Sequence, residues 1–333
     1  MKILNFKAND IACYMVLIIA IAGLTSCNKF KDSKTLYIAH NLNQSHPVHQ
    51  GIIAFQESLD SISLGKLKLK IFPDGQLGSE REVLELLQIG SIAMTKVSAA
   101  AMANFAPEYK VLGVPYLFRD KEHMFKVLEG AIGDHLKESS SAYLLKGLCF
   151  YDAGSRSFYT TKKAIQTPSD LKGQKIRVMN HQMSVDMVNA MGGSATPMSY
   201  GELYTALQQG VVDGAENNPP SFVSSNHYEV AKNYTLDEHS SIPDVVVIST
   251  KFWETLTVIE QQWLTEASKI SVIAQKKYWA KSVDESMKVL RQAKINIIIP
   301  EKPLFAESAA SVLKEFTQNP SMKKLVDQIK NVR

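Results

Sequence analysis

The sequence predicts an α/β fold with two lobes, and three of its features lead to this conclusion. Strand and helix signals alternate along the chain, a pattern typical of parallel sheets flanked by helices. The 333 residues leave about 306 after a leader of 27, and that length is enough for two lobes of ordinary domain size. From residue 258 to about 293 no proline or glycine interrupts a helical pattern, which predicts one unusually long helix that can brace both lobes.

The predicted strands are short runs that are apolar or that alternate polar and apolar residues. They cover residues 35–40, 66–72, 111–118, 148–153, 175–179, 211–215 and 244–249. Helix starts are marked by Pro47 and by two capping boxes, which open at Ser79 and Ser199 and have a glutamate three residues later. The helix after Ser79 is expected to end at Gly90, because glycine is the residue that most often terminates a helix.

The composition is that of a soluble globular protein. Hydrophobic residues make up 45% of the chain and charged residues 21%, and the formal net charge is +4. Lysines are scattered and no platform of arginines and aromatic rings occurs, so nucleic acid is not an expected partner. The sequence has no Ser-His-Asp pattern and no phosphate-binding glycine loop, and His46 and His49 lack a third zinc ligand nearby. Neither an enzyme nor a cofactor is therefore predicted.

The first 27 residues are interpreted as a lipoprotein signal peptide. Residues 11–24 form an uncharged apolar run, shorter than the roughly 20 residues that span a bilayer. The sequence LTSC at 24–27 resembles a bacterial lipobox, in which the chain is cut before Cys27 and lipid is attached to its thiol. The alternative is a short membrane anchor that is never cleaved. The expected location is the periplasm, with attachment to a membrane through Cys27.

Arg177 is the first indication of function. It lies in a short strand pattern, 175–179, that is otherwise mostly apolar, and a buried guanidinium stays charged and is costly unless an anion pairs with it. The anion is either a carboxylate of the protein, such as Asp186 or Glu202, or the carboxylate of a ligand. If no acid of the protein neutralises Arg177, the natural partner is a ligand carboxylate.

Several separate motifs point to one family. They are HPVHQG at 46–51, FPDGQLGSERE at 72–82, DLKGQKIRVM at 170–179, TPMSYGELYTALQQGVVDGAEN at 196–217 and EV at 229–230. In order and spacing, over essentially the whole chain from about residue 35, they resemble the solute-binding proteins of TRAP transporters, which are driven by an ion gradient.

The resemblance implies a two-lobed periplasmic-binding-protein fold, type II-like, with a long helix spanning both lobes. Lobe I would comprise 34–154 and 243–282, and lobe II would comprise 155–242 and 283–333. The lobes would close by a hinge motion around one small organic acid. A monomeric receptor of this kind needs no cofactor and passes its ligand to the membrane subunits of a TRAP permease.

The resemblance also implies which residues contact the ligand. Arg177 matches the arginine that forms a bidentate salt bridge with the ligand carboxylate, and Asn217 matches an asparagine at the ligand. The remaining candidates are Arg156, Tyr200, Glu80, Asn41, Lys96, His46 and Asn180.

Some of these candidates have an ordinary structural alternative. If it does not contact the ligand, Arg156 forms a salt bridge at the surface, and Tyr200 is an aromatic residue of the core. In the same way, Glu80 is alternatively a solvated residue at a helix N-terminus, where the helix dipole favours an acid, and Lys96 is alternatively solvated. Ser98 stands where sialic-acid receptors of the family carry a glutamate, which argues against sialic acid.

The ligand class follows from the candidate side chains. Two arginines with several groups that bind hydroxyls suit a hexuronate such as glucuronate or galacturonate. A C4-dicarboxylate such as succinate or malate is the alternative, because the second arginine then binds a second carboxylate; a 2-oxo acid ranks third. A sensor that presents its ligand to a signalling receptor is a further possibility.

Overall fold

The computed structural model describes residues 33–333, and the predicted signal peptide with Cys27 lies outside that range. The strands are β1 (Lys34–Ala39), β2 (Leu67–Phe72), β3 (Met94–Ser98), β4 (Leu145–Tyr151), β5 (Arg156–Thr160), β6 (Lys175–Val178), β7 (Ser194–Pro197), β8 (Gly214–Asn217), β9 (Asn233–Ser240), β10 (Asp244–Ser249) and β11 (Asn296–Ile298). The α-helices are α1 (Pro47–Ile62), α2 (Glu80–Ile89), α3 (Ala99–Met102), α4 (Lys121–Leu128), α5 (Ala131–Ser139), α6 (Gln182–Ala190), α7 (Leu203–Gln208), α8 (Pro219–Ser224), α9 (His227–Val230), α10 (Thr250–Glu254), α11 (Val258–Gln292), α12 (Lys302–Ser308), α13 (Ala310–Phe316) and α14 (Pro320–Asn331). Short 3₁₀ helices cover Pro107–Gly113, Ser140–Tyr143, Pro168–Leu171 and Tyr200–Glu202.

The strands form two sheets. The first has the order β2-β1-β3-β10-β4 and the second the order β11-β9-β5-β8-β6-β7. Both are mixed, which corrects the expectation of parallel sheets: β10 is antiparallel to β3 and β4, and β5 is antiparallel to β8 and β9. The reason is the route of the chain. After leaving the first sheet it returns through a link of only three residues, 241–243, so β10 begins at the edge where β3 and β4 end and runs back along them.

Most of the predicted strands lie within one to three residues of an observed one, but the run 111–118 is not a strand. It contains the end of the 3₁₀ helix Pro107–Gly113, and Val111 and Leu112 are buried in the core. A short apolar run does not distinguish a buried strand from a buried helical turn. The sequence patterns also do not predict β3, β5, β7, β9 and β11; in β9 the charged run at 237–239 hides the strand pattern.

The structure confirms the predicted helices that begin at Pro47, after Ser79 and at residue 258. Ser79 Oγ accepts a hydrogen bond from the backbone of Glu82, and the Glu82 carboxylate accepts one from the Ser79 N–H, so the capping box is complete. The helix ends at Gly90, whose φ of 81° requires the left-handed conformation that glycine adopts freely. The long helix α11 has 35 residues and contacts α1 and β4 as well as α8, which follows β8 of the second sheet.

Apolar clusters cover the two sheets. The C-terminal helix α14 packs Leu325, Val326 and Ile329 into the cluster that covers β3 and β4 of the first sheet. The division into two lobes at the predicted residues remains a prediction. Within residues 33–333 no helix is long and apolar enough to cross a membrane.

Candidate ligand-binding site

A cavity of about 510 Å³ lies where strand ends of the two sheets meet. Ser98 ends β3 and Asp244 begins β10 on one side, and Arg156 begins β5 and Asn217 ends β8 on the other. All nine residues predicted to contact the ligand line this cavity: Arg177, Arg156, Asn217, Tyr200, Glu80, Asn41, Lys96, His46 and Asn180. Carboxyl ends of strands are where α/β sheets commonly bind ligands.

Arg177 is buried in β6, with 2% of its surface exposed. Its Nε and Nη2 donate to the Met198 carbonyl at 2.9 and 2.7 Å, and its Cζ lies 5.7 Å from the centre of the Tyr200 ring. The third nitrogen, Nη1, is buried without a hydrogen-bond partner. Burial lowers the pKa of Arg177 from its ordinary value, which expresses the cost of a desolvated cation.

No carboxylate forms an ion pair with Arg177 within the described part of the chain. Asp186 accepts from Gln182 at 2.7 Å, and Glu202 completes the capping box with Ser199. The alternative of an internal ion pair with either acid is therefore wrong. A buried guanidinium with an unpartnered nitrogen therefore lines the cavity, an arrangement that can accommodate an anion.

Arg156 has a different environment. It is buried, not a surface residue, and forms an ion pair with Glu216; its Nη1 also donates to Asn217 Oδ1 at 2.9 Å. Burial raises the pKa of the Glu216 carboxyl, but Arg156 and His239 outweigh it and hold the pKa at about 2. The charge of Arg156 is thus compensated inside the protein.

His239 continues this network. Its Nδ1 lies 2.8 Å from Asp237 Oδ2 and its Nε2 lies 3.5 Å from Glu216 Oε2, all within the core. Burial lowers the pKa of His239, but these two carboxylates outweigh burial and raise it to about 9, so the imidazole is charged at neutral pH. Arg156 and His239 therefore balance Glu216 and Asp237, and Arg177 remains as one uncompensated positive charge.

Asn217 and Tyr200 are constrained by their neighbours. Asn217 Oδ1 accepts from Arg156 and from the backbone N–H and side-chain Nδ2 of Asn218, which leaves its NH₂ group as the free end. The Tyr200 hydroxyl lies 2.7 Å from Ser225 Oγ, so its ring is fixed beside Arg177. This side of the cavity therefore offers hydrogen-bond donors.

The first-sheet side carries acidic groups around one lysine. Lys96, 2% exposed, is not solvated; its Nζ lies 3.3 Å from Asp244 Oδ1 and 3.6 Å from Glu80 Oε1. Glu80 begins α2 and accepts from the Ser98 N–H at 2.9 Å, so it is tied to β3. Asn41 Oδ1 is buried and has no hydrogen-bond partner.

His46 and Asn180 are the two remaining candidates at the cavity. His46 Nδ1 accepts from the Val48 N–H at the start of α1, and its Nε2 lies 3.1 Å from Ser221 Oγ, so both ring nitrogens have partners. Burial lowers the pKa of His46 well below its ordinary value, so the ring is neutral. Asn180 is exposed at the rim, where its carbonyl accepts from Asn104 Nδ2 at 2.7 Å.

Asp244 and Trp279 line the cavity although no motif singled them out. Asp244 is the one acid in an otherwise apolar strand pattern, which is a usable signal. Trp279 lies on α11 far along the sequence, and only the fold brings it to the cavity. Across the described chain, no group of three or more His, Cys, Asp or Glu side chains is placed to bind a metal ion.

Comparison with known proteins places the chain in a family. The model of "Bacterial extracellular solute-binding protein, family 7" matches residues 38–319. The uncharacterised protein YiiZ of Salmonella typhimurium is 33% identical over 94% of this chain and 96% of its own length. A TRAP periplasmic solute-binding protein from Bradyrhizobium, solved with α/β-D-galacturonate, is 38% identical with a TM-score of 0.88, covering 90% of this chain and all of that one. Another from Anaerococcus prevotii, solved with α/β-D-glucuronate, is 33% identical with a TM-score of 0.88, covering 90% and 98%.

Proposed function

Because this chain belongs to the bacterial extracellular solute-binding proteins of family 7, we propose that it is the periplasmic receptor of a TRAP transporter for a hexuronate, either glucuronate or galacturonate. It binds the acid in the cavity between the two sheets and passes it to the membrane subunits of the permease. Similar proteins of known structure were solved with these two sugar acids.

The observation that carries the proposal is the unpartnered Nη1 of Arg177 at the cavity. A buried cation that lacks an internal counter-ion is compensated by one ligand carboxylate, in a bidentate pair with the planar guanidinium. The NH₂ group of Asn217 is a second donor on the same side. One carboxylate is therefore bound here, and the rest of the ligand extends towards Glu80, Lys96 and Asn41.

The C4-dicarboxylate alternative loses its main support. It required Arg156 to bind a second carboxylate, but the charge of Arg156 is compensated by Glu216, and its Nη1 donates to Asn217. A second anion at Arg156 would leave an excess of negative charge in a buried site, which costs free energy. A sugar acid, which has one carboxylate and several hydroxyls, fits the charges better.

The remaining parts of the proposal concern the leader and the assembly. We propose cleavage before Cys27, lipid attachment to its thiol and a monomeric receptor anchored to a membrane from the periplasm. The ligand is taken to close the two predicted lobes by a hinge motion. Mass spectrometry of the protein from membranes checks the lipid, since an unmodified chain that begins at Met1 contradicts cleavage.

A thermal-shift screen of the purified protein tests the function. The ligands are D-glucuronate, D-galacturonate, aldonates, succinate, malate and 2-oxo acids. A ligand at 1,000 times its Kd stabilises the folded state by roughly 4 kcal/mol, a shift that is easily measured. We expect the shift with the uronates. The proposed ligand is contradicted if only succinate or malate shifts the melting temperature, or if none of the acids does.

A further inference from the structure

Asp244 is a buried acid at the cavity whose role the function proposed above does not use. It begins β10, is 7% exposed and lines the cavity. In the sheet it lies opposite Ser98, at the end of β3, and opposite Tyr151, at the end of β4. The antiparallel course of β10 therefore places a carboxylate at the edge of the first sheet that borders the cavity.

The charges around Asp244 do not cancel. Lys96 Nζ lies 3.3 Å from Asp244 Oδ1 and 3.6 Å from Glu80 Oε1, so one ammonium stands between two carboxylates. With both acids ionised, this group has a formal charge of −1, opposite in sign to the uncompensated Arg177 on the other side. The cavity therefore has one side that attracts an anion and one side that repels it.

The same side has hydrogen-bond acceptors to spare. Among residues 33–333, Asp244 Oδ2 and Glu80 Oε2 accept no hydrogen bond, and Asn41 Oδ1 is buried without a partner. A ligand hydroxyl can donate to such oxygens, whereas a carboxylate can only accept. A carboxylate placed here cannot donate to these oxygens, so it leaves the acceptors of the protein unsatisfied.

We propose that Asp244, positioned by Lys96, is a specificity-determining residue: it accepts a hydrogen bond from a ligand hydroxyl and excludes acids that carry a second carboxylate at that end. The inference rests on the proposed function, because it takes the ligand carboxylate to be bound at Arg177. The receptor thus separates sugar monoacids from aldarates, which have a carboxylate at both ends. Like charges brought together at a buried site cost several kcal/mol, and this repulsion is the basis of the discrimination.

The test compares the two ligand classes in the wild type and in Asp244→Asn, a change that keeps the shape and removes the charge. Burial raises the pKa of Asp244 to about 6, with Lys96, Glu80 and Arg156 as its charged neighbours, so calorimetric titrations at pH 7.5 measure the ionised wild type. The ligands are D-glucuronate and D-galacturonate, and the matching aldarates D-glucarate and galactarate.

The variant is expected to act in opposite directions on the two classes. Uronate affinity falls about tenfold, since the neutral amide oxygen is a weaker acceptor than a carboxylate. Aldarate affinity rises by about tenfold or more, since the repulsion is removed. A purely structural role for Asp244 weakens both classes together, so the opposite signs distinguish the two.

Glu80→Gln provides a second variant in case Asp244→Asn does not fold, because it removes a charge from the same group and is expected to raise aldarate affinity as well. Asp186→Asn, which removes an acid bound to Gln182 on α6, is the matched control and leaves both affinities unchanged. The inference is overturned if neither variant gains aldarate affinity, or if the wild type binds both classes equally. Failure of the wild type to bind any uronate overturns the proposed function itself, and this inference with it.

Discussion

At the scale of single residues, the pairing of buried charges decides what the cavity can bind. Arg156 is paired with Glu216 and His239 with Asp237, while Arg177 keeps an unpartnered nitrogen. Two arginines of the same sheet thus have different roles, one as part of an internal network and one as the proposed ligand contact. Removing one partner of a buried ion pair costs more folding stability than the intact pair contributes. The charges of this network are therefore held in place beside Arg177.

Arg177→Lys is expected to weaken galacturonate binding about 100-fold, because a point charge does not reproduce the bidentate guanidinium. The free energy of unfolding without ligand stays within about 1 kcal/mol of the wild type, since the lysine can still donate to the Met198 carbonyl. Calorimetry and urea unfolding measure the two effects. Arg291→Lys, on the exposed side of α11, is the control and leaves both values unchanged. Wild-type affinity in Arg177→Lys contradicts the assignment.

The stability of the protein is expected to decrease as the pH rises towards 9. The pKa of His239 in the folded protein is about 9, above its ordinary value of 6.5. Its stabilising contribution is therefore complete below pH 6.5 and is lost as the pH rises through 9; it amounts to roughly 3 kcal/mol. Urea unfolding of the wild type and of His239→Gln from pH 6 to 10 measures it. The difference between the two proteins shrinks with rising pH, and a constant difference excludes a charged His239.

At the scale of elements, the long helix α11 fixes the segment that links the two sheets. Gln275 of α11 accepts from the Asp152 N–H at 2.9 Å and donates to the Asp152 carbonyl at 2.8 Å, so it pairs with the backbone just after β4. Two residues later Gly154 has a φ of +59°, and a Cβ there would lie 3.1 Å from the Trp279 ring of α11. The helix and the link therefore form one packed unit beside the cavity.

Gly154→Ala is expected to destabilise the protein by more than the backbone effect alone. A positive φ costs an alanine about 1 kcal/mol, and the contact with Trp279 adds about 1–2 kcal/mol of overpacking. Gly173→Ala is the matched control, because Gly173 has a φ of +77° and a Cβ there meets nothing within 4 Å. Urea unfolding of both variants separates the two terms. Equal losses in the two variants show that the contact with Trp279 is relieved without cost.

At the scale of the whole molecule, hydrogen bonds cross the cavity between the residues around the two sheets. Asn104, after α3, donates to the Asn180 carbonyl at 2.7 Å, and His46 meets Ser221 of α8. These bonds join residues far apart in sequence and lie around the proposed ligand. The proposed closure of the lobes would bring these residues together, so we expect the bonds to slow the release of ligand rather than to change how it enters.

Asn104→Ala is expected to raise the rate of uronate dissociation about fivefold, since it removes one neutral hydrogen bond worth about 1 kcal/mol. The association rate stays nearly unchanged. Stopped-flow fluorescence measures both rates. Asn189→Ala is the control, because the Asn189 side chain accepts a hydrogen bond from the Ala195 N–H, which lies on the second-sheet side alone. The same dissociation rate in both variants contradicts a role for the Asn104 bond in closure.

Sequence alone determined the family of the protein and most of its local structure. Capping boxes, the long helix and most of the predicted strands depend on residues within a few positions of one another, so their patterns are visible along the chain. The family motifs also identified nine residues that line one cavity. Polar residues at the ends of predicted strands can be identified from the sequence before the fold is known.

The tertiary structure decided which of these residues are free to bind a ligand. Arg156 and Glu216 are 60 residues apart, and Lys96 and Asp244 are brought together by β10, so neither pairing has a local signal. The mixed sheets have the same origin, because the direction of β10 depends on where the chain re-enters the first sheet. Charge pairing and strand direction are long-range properties, set by the packing of distant segments, and they made Arg177 the uncompensated cation and Asp244 the acid at the cavity.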